Sequence, residues 1–102
     1  MQAIGITKIE IDGAGRLLVY PVTQSDDFDY VYRAGAEVNW DSAGYFYSPV
    51  PREWSYSKWL EQIGSAVLGE LGVQLVARPS TQYVSVPEQD EVAMRAVLAR
   101  QA

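Results

Sequence analysis

Apolar residues in this chain come in short runs whose period changes several times. Residues 3–11 (AIGITKIEI) are isoleucine-rich and read as a strand, but the apolar set changes parity within it. Ile4 and Ile6 fall on one face, Ile9 and Ile11 on the other. Successive strand side chains alternate between faces, so the switch calls for a bulge near Thr7–Lys8 or for cover on both faces. Asp12-Gly13-Ala14-Gly15 then offers two glycines able to take positive φ, and residues 16–22 (RLLVYPV) resume the apolar run, a hairpin pattern. Pro21 has no N–H to donate, so the second strand ends there or lies at an edge. Beyond a polar, acidic loop (residues 23–29), residues 30–41 carry the clearest period of two in the chain. Tyr30, Tyr32, Ala34, Ala36, Val38 and Trp40 share one face, and Val31, Arg33, Gly35, Glu37, Asn39 and Asp41 share the other. This alternation predicts a long, half-exposed strand with the first set in the core.

Asp41-Ser42-Ala43-Gly44 predicts a second turn, Tyr45–Ser48 a short returning strand, and Pro49-Val50-Pro51 an extended corner leading away from the sheet. The main helix follows. Ser55 is placed to cap it, with Trp54 and Trp59 at the two positions of a hydrophobic staple. Tyr56, Trp59, Leu60, Ile63, Val67 and Leu71 recur every three or four residues as an apolar stripe, and Gly72 stands where a left-handed cap is expected. Residues 73–78 and 81–86 flank Pro79-Ser80 and predict two short strands. A last helix over 88–101 has Pro87 before it and acids in its first turn, with a modest apolar face of Val92, Ala96 and Ala99, flanked by Val97, that a partner chain could complete. The fold expected is α+β over a single domain, residues 1–102. An antiparallel β-sheet in near chain order (hairpin and meander) is packed by one main helix, and a C-terminal β-hairpin and helix follow.

Aromatic residues sharpen this picture. All three tryptophans, with Tyr45, Phe46, Tyr47 and Tyr56, lie between residues 37 and 60, which marks the centre of the core. Composition mostly excludes. The chain has eight Lys and Arg against thirteen Asp and Glu, a net charge of −5, which argues against a nucleic-acid binder. It has no cysteine and no histidine, so disulfides, cysteine nucleophiles, Ser-His-Asp triads and ordinary zinc sites are ruled out. No basic leader precedes an apolar run, and no apolar stretch approaches the roughly 20 residues of a membrane span, so a cytoplasmic protein without membrane contact is expected. Asp26, Asp27 and Asp29 lack the spacing of a calcium loop and read as a solvated turn; no metal and no cofactor is expected.

Several stretches resemble a known family. GITKIEIDGAGRLLVYP, YRAGAEVNWD and SPVPREWSYSKWLEQI, in that order, are similar to small uncharacterised proteins encoded by integron gene cassettes, over about residues 4–86. The resemblance implies an α+β fold and frequent self-association, and it supplies no catalytic residues. Site candidates therefore come from the residues alone. Arg33, Glu37, Asn39 and Asp41 would line one face of the long strand, and Arg52, Glu53 and Trp54 would stand at the neighbouring corner. A pocket needs apolar walls and a few placed polar groups, and only this region offers both. The alternative for the row is a solvated sheet face with Arg33 and Glu37 in a weak ion pair. The first expectation is a mobile-cassette binding protein, a homo-oligomer or a small-ligand binder, rather than an enzyme, since no spacing that carboxylate chemistry demands is present. The other is an acidic immunity- or antitoxin-like inhibitor of a basic protein partner.

Overall fold

The computed structural model describes residues 2–101. Strand β1 (Gln2–Ile11) turns into β2 (Leu17–Pro21) through a loop organised by one carboxylate. Asp12 Oδ1 accepts from the backbone N–H of Ala14 at 3.0 Å and of Arg16 at 2.8 Å, while Oδ2 takes the Arg16 Nε–H at 2.8 Å. Gly15 supplies the positive φ of 91° that closes the turn, and its carbonyl accepts from the Tyr56 hydroxyl at 2.8 Å, tying the hairpin to the main helix. The parity switch in β1 is a bulge. Ile6 pairs with Pro21 and Lys8 with Tyr20, leaving Thr7 as the extra residue, so Ile4, Ile6 and Ile9 all face the core. Pro21 ends β2, as its missing N–H requires, although β2 lies inside the sheet between β1 and its other neighbour.

The long strand expected over residues 30–41 does not form. Asp26–Arg33 is a 3₁₀ helix, and only Asn39–Asp41 (β3) is extended. Ser25 caps the 3₁₀ segment by accepting from the Asp27 N–H at 3.3 Å, and Asp26, Asp27 and Asp29 sit at its positive end. With three residues per turn, Phe28 and Val31 eclipse on the inner side and are buried, which leaves Tyr30 and Tyr32 at 43% and 55% exposure. A spacing of three on the inside thus overrode a spacing of two that pointed the tyrosines inward. Gly35 explains the sharp departure that follows. A Cβ there would lie 2.5 Å from the Ala66 Cβ and 3.2 Å from Val38 Cγ2, so the backbone passes directly over the main helix.

Strands β3 and β4 (Tyr45–Tyr47) form the second hairpin, closed by Gly44 at φ 114° and by Asp41 Oδ1 accepting from the Ala43 N–H at 2.8 Å. β4, carrying the fully buried Phe46, is the strand that pairs with β2, so the order is β3-β4-β2-β1 followed by a fifth strand, rather than chain order. Helix α1 (Tyr56–Leu71) is capped as expected. Ser55 Oγ accepts from the Lys58 N–H at 3.2 Å, the Trp54 and Trp59 rings lie 4.8 Å apart, and Gly72 takes φ 66°. Trp59, Leu60, Ile63 and Val67 point into the core.

The C-terminal hairpin is replaced by one strand. β5 (Val73–Val84) runs parallel to β1 along its whole length, and Pro79-Ser80 belongs to a bulge within it. Thr81 holds the excursion in line: its hydroxyl donates to the Ile6 carbonyl at 2.5 Å and accepts from the Arg78 N–H at 2.8 Å. Proline is tolerated because β5 is an edge strand. Helix α2 (Glu88–Gln101) buries Met94, Val97 and Leu98 against α1 and β5, not the face of Val92, Ala96 and Ala99; Val92 is 63% exposed. Larger side chains at positions 94, 97 and 98 remove more apolar area from water, so they decide the rotation.

Truncating Trp59 to alanine is expected to cost about 3–5 kcal/mol in urea unfolding, the range for a large buried aromatic. Partial burial pushes the Asp12 carboxyl up, but hydrogen bonds from Arg16 and Ala14 outweigh it and hold the group below the ordinary 3.8. Its contribution is therefore complete above the unfolded value and disappears as pH falls through the lower folded one. Asp12→Ala should lower stability by about 1–2 kcal/mol at neutral pH. Urea unfolding of both proteins should show that gap constant down to about pH 5 and closing below about pH 4.

Candidate functional site

A cleft of about 470 Å³ opens where the turn after the 3₁₀ segment meets the 49–54 corner and the first turns of α1. The corner is anchored by Ser48, which is fully buried. Its N–H donates to the Leu17 carbonyl at 3.1 Å, its Oγ accepts from the Leu17 N–H at 3.3 Å, and its hydroxyl donates to the Pro49 carbonyl at 2.9 Å. Pro49 and Pro51 then keep the backbone extended until Ser55 starts the helix. Pro49, Val50, Trp54 and Trp59 supply the apolar wall, while Glu37, Arg52, Glu53 and Gln62 supply polar groups.

Two features at this cleft exceed what packing requires. Trp54 is 41% exposed, a large apolar surface left in water beside the buried Trp59. Lys58 Nζ stands 5.8 Å from the Trp54 ring centre, at the outer limit of a cation–π contact, while also bridging Glu61 at 3.6 Å. The second feature is Glu37, which holds a left-handed backbone at φ 64°. That conformation costs a residue with a Cβ roughly 1–2 kcal/mol. Asn39 supports it, its side-chain amide donating to the Glu37 carbonyl at 3.3 Å.

Glu37, Glu53 and Trp54, together with Arg52, thus line one cavity. The other three expected residues stand elsewhere. Arg33 lies over the Tyr30 ring at 4.3 Å and reaches Glu70 at 3.9 Å, so the ion pair expected with Glu37 does not form. Asn39 is occupied with the Glu37 carbonyl. Asp41 closes its turn and accepts from the Tyr45 hydroxyl at 3.2 Å. All three were grouped by a strand alternation that the 3₁₀ segment breaks. Gln62 and Trp59 join the site from α1, and Ser48 positions it. The helical stripe had marked Trp59 as core only, and Gln62 carried no signal, since one polar residue beside an apolar stripe is ordinary. Asp26, Asp27 and Asp29 sit in the first turn of the 3₁₀ segment, and among the described residues no group of three or more His, Cys, Asp or Glu converges as metal ligands. No helix among the described residues is long and apolar enough to cross a membrane.

Residues 4–81 match the profile of a family described as Integron Cassette Protein Hfx_Cass5. The chain belongs to the Hfx_Cass5 integron cassette protein family. A solved structure from the mobile metagenome of North West Arm Sewage Outfall, Integron Cassette Protein Hfx_Cass5, is 42% identical; the match covers 97% of this chain and 98% of that one, with a TM-score of 0.46. No curated protein matches. The Hfx_Cass5 match includes every residue of the cleft and stops before α2.

Replacing Glu37 with glycine should remove the left-handed penalty and stabilise the fold by up to about 1 kcal/mol, measured by urea unfolding. A loss of stability instead would mean that the side chain, rather than the backbone, is needed for folding.

Proposed function

We propose that this member of the Hfx_Cass5 family is a small-ligand binding protein, and that its cleft takes an organic cation against Trp54. The half-exposed Trp54 ring carries the reading: it is backed by Trp59, and two carboxylates, Glu37 and Glu53, share its cavity. An aromatic face attracts cations through its quadrupole, and carboxylates nearby add charge complementarity. The protein's own Lys58 ammonium already samples that ring at 5.8 Å from an exposed position, where a better-placed cation can displace it. Arg52 at the rim is available for an acidic group on the same ligand. The chain's net charge of −5 favours the approach of cations over anions at long range.

Trp54 also reports on the site. Titration with tetramethylammonium, and with an aromatic amine such as tryptamine followed by calorimetry, should give saturable binding, the former quenching or shifting Trp54 emission. Glu37→Gln should weaken cation binding by about three- to tenfold, the loss of one partly screened charge contact of roughly 1 kcal/mol, with unfolding almost unchanged. Trp54→Ala should abolish it. Equal binding by wild type and Glu37→Gln removes Glu37 from the site, and binding that survives Trp54→Ala overturns the cleft.

A further inference from the structure

We infer that the bulge beside Gly5 is a second binding site, for the carboxylate of a small organic monoacid, independent of the tryptophan cleft. Strand β1 is irregular against both neighbours at one point. Against β2, Thr7 is the extra residue; against β5, Arg78, Pro79, Ser80 and Thr81 together stand opposite Thr7, between the pairs Ile6–Ala77 and Lys8–Gln82. Bulges re-aim side chains, and these two together open a hollow of about 360 Å³ rimmed by Lys8, Val22, Arg78, Ser80 and Gln82.

Arg78 is held there in an unusual way. Its side chain lies flat across Gly5, so that a Cβ at position 5 would fall 2.6 Å from Arg78 Cδ. Since Ile4 and Ile6 point to the core, Gly5 faces the opposite side of the sheet, where Arg78 now lies. The loop under it is fixed by Thr81, bonded to both the Ile6 carbonyl and the Arg78 N–H. Among the described residues, Arg16, Arg33, Arg95 and Arg100 each have a carboxylate within 4 Å: Asp12, Glu70, Glu91 and Glu61. Arg78, like Arg52 at the tryptophan cleft, has none, and its planar fork is left for a ligand.

The surrounding groups select the anion. Lys8 is engaged by Glu10 at 3.3 Å and by the Tyr20 ring at 4.2 Å, so most of its charge is met. The Thr7 hydroxyl donates to the Tyr20 carbonyl, leaving only lone pairs towards the hollow. Arg78 is thus the one uncompensated charge, with the Ser80 hydroxyl and the Gln82 amide as neutral donors. One net positive charge matches a monoanion, and a planar guanidinium takes both oxygens of a carboxylate side by side. A phosphate dianion would face the Thr7 lone pairs with half its charge unbalanced. Val22, 40% exposed on the rim, offers a wall for a short hydrocarbon tail.

The test is an amide chemical-shift titration of the full, ¹⁵N-labelled chain at constant ionic strength, with butyrate, formate and inorganic phosphate. Butyrate should give saturable shifts at Thr7, Lys8 and residues 78–82, half-saturating at low millimolar concentration and at least threefold lower than formate or phosphate. Arg78→Gln should abolish them, and Arg78→Lys should weaken them several-fold. Gly5→Ala, which must push the guanidinium aside without touching its charge, should also weaken them. Shifts that fail to saturate, or that survive Arg78→Gln, overturn the site, and phosphate binding as tightly as butyrate overturns the carboxylate. Should Arg78→Gln lose its native spectrum, undiminished affinity in both Arg78→Lys and Gly5→Ala overturns it equally.

Discussion

Strand β1 must satisfy two neighbours of opposite direction, β2 antiparallel and β5 parallel, while presenting every large apolar side chain to one layer of helices. A strand of strict period two with this sequence would turn Ile9 away from Ile4 and Ile6. The extra residue at Thr7 removes that conflict, and the Thr7 hydroxyl closes the gap by bonding the Tyr20 carbonyl. On the far side, the Thr81 hydroxyl bonds Ile6. The core of Ile4, Ile6, Ile9, Leu17, Val19 and Leu75 follows from this one irregularity, because slipping the register by a single residue would send half of them into water.

A second close approach organises the cleft. Gly35 lets the backbone pass over Ala66 on α1, and that contact decides where the chain must turn back towards β3. Glu37 falls at the turn and accepts a left-handed conformation there. Strain of this sort persists only where the surroundings over-determine it, and here the surroundings are a glycine pressed on a helix on one side and a hairpin strand on the other. Opposite Glu37, Ser48 fastens the proline corner to β2, so both walls of the cleft hang from the sheet rather than from each other.

Much of this was legible in the residues because the relevant signals are local. The Asp12–Gly15 turn, the Ser55 cap with its Trp54–Trp59 staple, the Gly72 cap and the bulge near Thr7 each depend on a few neighbours, and each formed where the pattern placed it. Residues 30–41 misled for a definable reason. Their alternation was real, but Phe28 and Val31 could reach the core only on a tighter helix, and Gly35 was needed for contact with a helix distant in sequence. Position 79 misled in the same way: proline followed by serine is turn chemistry, and only the Thr81 bond to Ile6, from the other end of the chain, turns it into a bulge. Of the candidate site, Glu37, Glu53 and Trp54 came together because turn and corner converge whichever way residues 30–36 fold. Arg33, Asn39 and Asp41 depended on the strand and dispersed with it.

The parallel pairing of β1 with β5 has a kinetic consequence. Gln2 lies beside Val73 and Glu10 beside Val84, so β1 cannot complete its hydrogen bonding until the chain has been made through residue 84. During synthesis the β1–β2 hairpin, and then β4 and β3 beside it, can form before β5 exists, with one long edge of β1 open and rich in isoleucine. Loop closure over such separations is slow compared with hairpin or helix formation, which makes this docking the expected bottleneck of folding. Until it occurs, the nascent chain presents the kind of unpaired apolar edge that other chains can join. Once β5 docks, the new edge carries Pro79 and a bulge, which an incoming strand cannot pair with evenly.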